Sequence, residues 1–151
     1  MSRNSKFLGL FLFVALTAIV GSAAASSDGA LFHERKEVAG LAVVFGAEPE
    51  PAITDERQFL RWRVSSLAEQ EPYEDLEDAE VTIKLDDEVF GPFGVRGARG
   101  TPGLYQTQHL FTDAGEYESV LSFRKGEEEE VHTVAFTFNI RDRATLEIPG
   151  R

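Results

Sequence analysis

Beyond residue 40, apolar and polar positions alternate with a period of two over most of the chain, the pattern of half-buried strands. Leu41-Ala42-Val43-Val44-Phe45 is a short run of β-formers closed by Gly46. Gln58 to Ser65 places Leu60, Trp62 and Val64 on one face and Phe59, Arg61 and Arg63 on the other. A helix is the alternative for that segment, but the two arginines flanking Trp62 fit period two better. Glu80 to Leu85 directs Val81, Ile83 and Leu85 inward and Glu80, Thr82 and Lys84 outward. Tyr105, Thr107, His109 and Phe111 share one face of the next strand, and Gln106, Gln108 and Leu110 share the other. Glu116 to Phe123 alternates again, with Tyr117, Ser119, Leu121 and Phe123 on one side. His132, Val134, Phe136, Phe138 and Ile140 form the inward face of the last strand. These are six strands, with a seventh expected within 88–95. Spaced by turn signals and without an amphipathic helix, they predict an all-β antiparallel sandwich of about seven strands.

The connections are equally readable. Glu48-Pro49-Glu50-Pro51 cannot continue a ladder, because proline lacks the donor, and it reads as a stiff acidic connector. Ala68 to Asp78 is an acidic loop, and Asp86-Asp87-Glu88 a turn. Phe90 to Gly103 holds five glycines and two prolines, and is expected to be a long, partly irregular connection. Connections of that length often carry function.

Between the strands at 105–111 and 116–123 lies a corner built on Asp113, Gly115 and Tyr117 in a D-x-G-x-Y arrangement. Asp can bond its own backbone there, and Gly accepts positive φ. In immunoglobulin-like (Ig-like) sandwiches, a Tyr at such a corner buries its ring and bonds its hydroxyl to nearby backbone. The pattern therefore predicts an Ig-like sandwich, with a plain β-hairpin as the alternative. Two residues on, where antibody-type domains carry a cysteine, stands Ser119, so the inter-sheet disulfide is absent.

The N-terminus changes the picture of where this domain works. Arg3 and Lys6 precede an uncharged apolar run, Phe7 to Val20, followed by Gly21-Ser22-Ala23-Ala24-Ala25. A basic start, a short apolar core and a small-residue end make a cleaved secretory signal peptide. A retained anchor is the alternative, but the apolar core is short against the roughly 20 residues that span a bilayer. With no cysteine after it, a lipoprotein anchor is excluded. The expected organisation is a signal peptide at 1–25, a flexible lead-in at 26–37, the sandwich at 38–141 and a polar tail at 142–151. Removal of residues 1–25 from 151 leaves 126, the size of one domain. It also takes away Arg3 and Lys6, so the net charge moves from −11 to −13. A surface this acidic favours solubility, repels nucleic acid and anionic lipid, and tolerates cations or a basic partner. The chain has no cysteine, so an exported domain must rely on its core, to which the phenylalanines contribute much of the bulk.

Candidate chemistry is sparse. His109 and His132 are potential copper or zinc ligands if their strands bring them together, although no histidine pair has the short spacing of a known metal motif. Strand histidines are otherwise partly buried and hydrogen-bonded. The acidic runs 86–88 and 127–130 could offer calcium carboxylates but lack an EF-hand-like loop, and read more simply as solvated strand ends that discourage edge pairing. Arg96 and Arg99 in the Gly-rich connection, with Phe93, form a basic spot able to grip a carboxylate or phosphate. The stretch GVRGARG lacks the G-K-[ST] ending of a P-loop. Neither a nucleophile–base set nor a carboxylate pair is recognisable, so no reaction class is supported.

Three features outline a wider likeness: Leu76 and Val81-Thr82-Ile83 leading into a strand, Gly103-Leu104-Tyr105, and Phe111-x-x-x-Gly115-x-Tyr117. Over 72–140, about 70 residues, the chain resembles the YtkA-like family of exported Ig-fold domains. The resemblance implies a domain of the bacterial cell envelope, in some cases associated with metal handling. The methionine- and cysteine-rich copper motifs are missing, the only methionine being the initiator. The reading is therefore a non-enzymatic binding or accessory module, periplasmic or secreted, that works without a cofactor. Its expected partner is an envelope protein, contacted through Phe93, Arg96 and Arg99, with no nucleic acid and no stable membrane insertion after signal cleavage. A small periplasmic copper- or zinc-binding protein using His109 and His132 is the alternative.

Overall fold

A computed structural model describes residues 34–146; the predicted signal peptide, the lead-in up to residue 33 and the end of the tail lie outside the described residues. Within them the chain forms nine strands and one short 3₁₀ turn. The strands are β1 (Glu34–Val38), β2 (Leu41–Glu48), β3 (Arg57–Ser66), β4 (Leu76–Leu85), β5 (Glu88–Gly94), β6 (Arg96–Gly97), β7 (Leu104–Leu110), β8 (Gly115–Lys125) and β9 (Val131–Ile140). They make two antiparallel sheets, in the orders β1-β2-β3-β7-β6 and β5-β4-β8-β9, arranged as a sandwich.

The period-two pattern accounts for which residues meet between the sheets. Leu60, Trp62 and Val64 of β3 are fully buried, as are Val81 of β4 and Leu121 of β8. Phe45 of β2 crosses the gap to stack on Phe136 of β9, with ring centroids 5.2 Å apart. Phe111, just beyond β7, meets Tyr117 of β8 edge-on at 4.9 Å. Each fully buried side chain of this size contributes roughly 1.5–3 kcal/mol, which is how a cysteine-free core of this size holds together.

Four local expectations are corrected. Glu34–Val38 is a strand rather than part of a flexible lead-in. Its charges hide the alternation, but it pairs along β2, and Lys36 Nζ donates to the Ala135 carbonyl on β9 at 2.6 Å, closing that side of the sandwich. Gly46 does not end β2; it stays in the ladder opposite Arg61, whose guanidinium reaches Glu48 two residues along. The connection 90–103 is more regular than its composition suggests, because β5 continues to Gly94 on a sheet edge, where Pro92 costs no ladder bond. Val95 then buries itself, its N–H donating to the Ala79 carbonyl at 2.8 Å, as the chain crosses to β6 in the other sheet. Finally, Arg141–Leu146 is anchored. Arg141 exchanges backbone bonds with Ala52 and Thr54, and Arg143 bonds the Thr54 hydroxyl and Glu56.

Candidate functional site

The corner at 112–117 is assembled differently from its simplest reading. Tyr117 Oη donates to the Asp113 carbonyl at 2.8 Å, so Asp113 contributes its backbone; its carboxylate accepts from the Thr112 hydroxyl at 3.0 Å. Burial, then the nearby Asp113 and Glu88 charges, push the Tyr117 hydroxyl above its ordinary pKa, keeping it a donor. Gly115 is not required for positive φ. A side chain there would stand 2.8 Å from Leu85 Cδ1, so the need is for space between β8 and β4. Positive φ is needed at Gly103 instead, where a Cβ would also fall 2.6 Å from the Val64 carbonyl oxygen.

Beside this corner the sandwich is open. β6 covers β7 only at Tyr105 and Gln106, so the outer edge of β7 from Thr107 to Leu110 has no strand against it among the described residues. The facing edge of the other sheet is β5. Between them lies a cleft of about 200 Å³, lined by Ile83, Glu88, Phe90, Phe93, His109, Leu110, Phe111, Thr112, Asp113 and Tyr117. Phe90 and Phe93 pair with the inward-facing Ile83 and Val81, which aims them across the gap. Phe93 meets the His109 ring at 4.6 Å and forms the inner wall. At the mouth, Phe90 is 41% exposed and Leu110 61% exposed, large apolar side chains left to solvent beside the cavity. Two carboxylates, Glu88 and Asp113, stand among these rings and give the cleft an acidic character.

His109 is half-buried, with Nε2 3.2 Å from the Thr107 hydroxyl. Burial lowers its pKa, so the imidazole is neutral at neutral pH and acts as an aromatic wall with one polar edge. His132 lies elsewhere, opposite Phe123 on β9, with its ring nitrogens 3.6 and 3.9 Å from Glu128 and Glu130. Tyr117 beside His109 pairs with Phe138, six residues along β9 from His132, a separation of about 20 Å at strand rise. The structure does not bring the two histidines together. Among the described residues no group of three or more His, Cys, Asp or Glu is placed to hold a metal ion.

The residues expected to contact a partner divide between two places. Phe93 faces the cleft, whereas Arg96 is exposed on β6 and Arg99 is exposed in the turn that follows. Sequence reasoning did not assign Leu110 to a site, weighed Glu88 only as a calcium carboxylate, and reached Phe90 only as part of the 90–103 connection. The available signals were Phe90 directly before Gly91-Pro92 and Leu110 on the otherwise polar face of its strand with Gln106 and Gln108. Comparison with family models, curated proteins and solved structures gives no match for this chain.

Proposed function

We propose that the chain is an exported, Ig-like binding module of the cell envelope that holds an extended segment of a partner protein in the cleft between β5 and β7. The observation that carries this reading is the juxtaposition of exposed Phe90 and Leu110 with an aromatic-walled, acidic cavity and an uncovered strand edge. Peptide segments bind such places by adding backbone bonds along a free edge and inserting alternate side chains into pockets. The cleft takes an aromatic or branched apolar anchor against Phe93 and Phe111. Glu88 and Asp113 favour a lysine or arginine next to that anchor, in keeping with a basic partner for an acidic protein.

The Ig-like assignment is supported by strand order. The series β2-β3-β7-β6 and β5-β4-β8-β9 match the A-B-E-D and C′-C-F-G orders of such sandwiches, and Tyr117 sits at the start of the strand in the F position. Ser119, buried on that strand, stands where antibody domains have a cysteine. The core Trp62 lies on β3 rather than on the strand in the C position, a departure from the antibody pattern. Export rests on the basic, apolar and small-residue succession of residues 1–25, and the envelope address on the YtkA-like resemblance.

The test is selection of peptides from a displayed random library on the purified protein, followed by amide chemical-shift mapping of a selected peptide. Sequences with an apolar anchor beside Lys or Arg are expected, with shifts over 88–93 and 107–113. A Phe90→Ser/Leu110→Ser variant, changed only at exposed positions, is expected to lose the binding while keeping its fold. Retained affinity in that variant would remove the cleft from the account.

A further inference from the structure

The outer face of the five-stranded sheet carries arginines drawn from separate strands. Arg57, Arg61 and Arg63 of β3 lie on the side opposite the buried Leu60, Trp62 and Val64. Across β7, Arg61 pairs with Gln106, and Gln106 pairs in turn with Arg96 of β6. Directly paired residues project to the same side of a sheet, so Arg96 joins the other three. Arg61 and Arg63 stand about 7 Å apart along the strand, and Arg61 and Arg96 about 10 Å apart across two strand spacings.

Their pairing is what sets them apart. Arg61 engages Glu48 and packs over the Phe59 ring. Among the described residues, Arg57, Arg63 and Arg96 have no carboxylate at ion-pair distance. Lys84 and Arg124 of the other sheet, by contrast, are matched to Glu118 and Asp78. Although the chain's net charge is −11, three arginines on one face have no carboxylate partner among the described residues.

We infer that this face binds an acidic segment of a protein partner in extended conformation. Carboxylates six residues apart in an extended chain stand about 20 Å apart, the separation of Arg57 and Arg63 along β3. Each guanidinium can take a carboxylate through two parallel bonds. Leu110, exposed and paired with Arg57, supplies apolar contact at one end of the patch. Charge also selects the class of partner. Duplex nucleic acid or an anionic bilayer extends past the patch and meets the acidic remainder of the surface. A short acidic segment lies wholly within the Debye length of about 8–10 Å from the arginines. This surface adjoins the cleft at Leu110, but the inference rests on the arginines and does not depend on how the cleft is used.

The experiment is fluorescence anisotropy with a labelled, alternating Glu/Ser peptide and protein produced from the full chain. Vesicles rich in phosphatidylglycerol and a duplex DNA oligonucleotide serve as the competing anions. The peptide is expected to bind at low ionic strength and to weaken as salt rises. Arg63→Gln and Arg96→Gln are each expected to lower affinity about three- to fivefold, the scale of single exposed ion pairs. The triple variant Arg57→Glu/Arg63→Glu/Arg96→Glu is expected to abolish binding with its melting curve unchanged, and Lys84→Ala to bind as the parent does. Absence of peptide binding at low salt, undiminished binding by the triple variant, or preference for vesicles or DNA would each overturn the inference.

Discussion

At the scale of the residue, two side chains near the cleft lend themselves to measurement. Tyr117→Phe removes the hydroxyl that satisfies the Asp113 carbonyl and leaves the ring packing intact. A loss of roughly 1–2 kcal/mol in urea unfolding is expected, the cost of one hydrogen bond plus a poorly solvated acceptor. An unchanged midpoint would mean that water replaces the hydroxyl there. His109 carries a pH dependence. Its folded pKa is lowered by burial, so between the folded and unfolded values the unfolded chain holds more protons and stability rises with pH. The contribution is full above the unfolded value of about 6.5 and is lost as pH falls through the folded one. The melting temperature is therefore expected to drop as pH falls through that range, more steeply in the parent than in His109→Gln. Equal slopes would show that other groups govern the decline. Tyr117 was legible in the sequence because the turn residues before it announce a corner. Gln58 was not recognised as core, although it is fully buried and in register with Leu60 and Trp62. In the amide orientation that satisfies both its ends, its nitrogen donates to the Pro49 and Glu48 carbonyls at 3.1 and 3.3 Å, a role visible only once the connector is folded over it.

At the scale of the element, legibility follows the number of faces a strand buries. β3, β4, β8 and β9 alternate cleanly because each has one apolar face against the core and one polar face in water. β1 escapes notice because Glu34, Arg35, Lys36 and Glu37 are charged on both sides, and its place comes from backbone pairing with β2 and from Lys36. β6 is only two residues long and is defined by its neighbour β7. The same hierarchy sets local stability. β8 lies between β4 and β9, whereas β1, β5, β6 and β9 are edges. Amide exchange is expected to be slowest in β8 and β3, and fastest over β6 and the uncovered edge of β7. Strong protection, in the free protein, of those amides within 107–110 that point away from β3 would indicate that another segment already occupies that edge.

At the scale of the whole molecule, the sandwich presents unlike surfaces. One side opens as an acidic cleft walled by aromatic rings, and the outer face of the five-stranded sheet gathers arginines, three of them without a carboxylate partner among the described residues, on an otherwise acidic protein. Neither surface is continuous in the sequence. The cleft joins 88–93 to 107–117, and the arginine face joins 57–63 to 96. Their residue types could be picked out beforehand, as Phe93, Arg96 and His109 were, but which of them stand together depends on pairing between distant strands. Both proposed sites are binding surfaces, with two charge characters on two faces. The most direct test of this account is the chemical-shift map with a selected peptide. Shifts confined to β5 and 107–113, and lost in Phe90→Ser/Leu110→Ser, are the expected result. Shifts elsewhere on the sandwich with that stretch unmoved would contradict it.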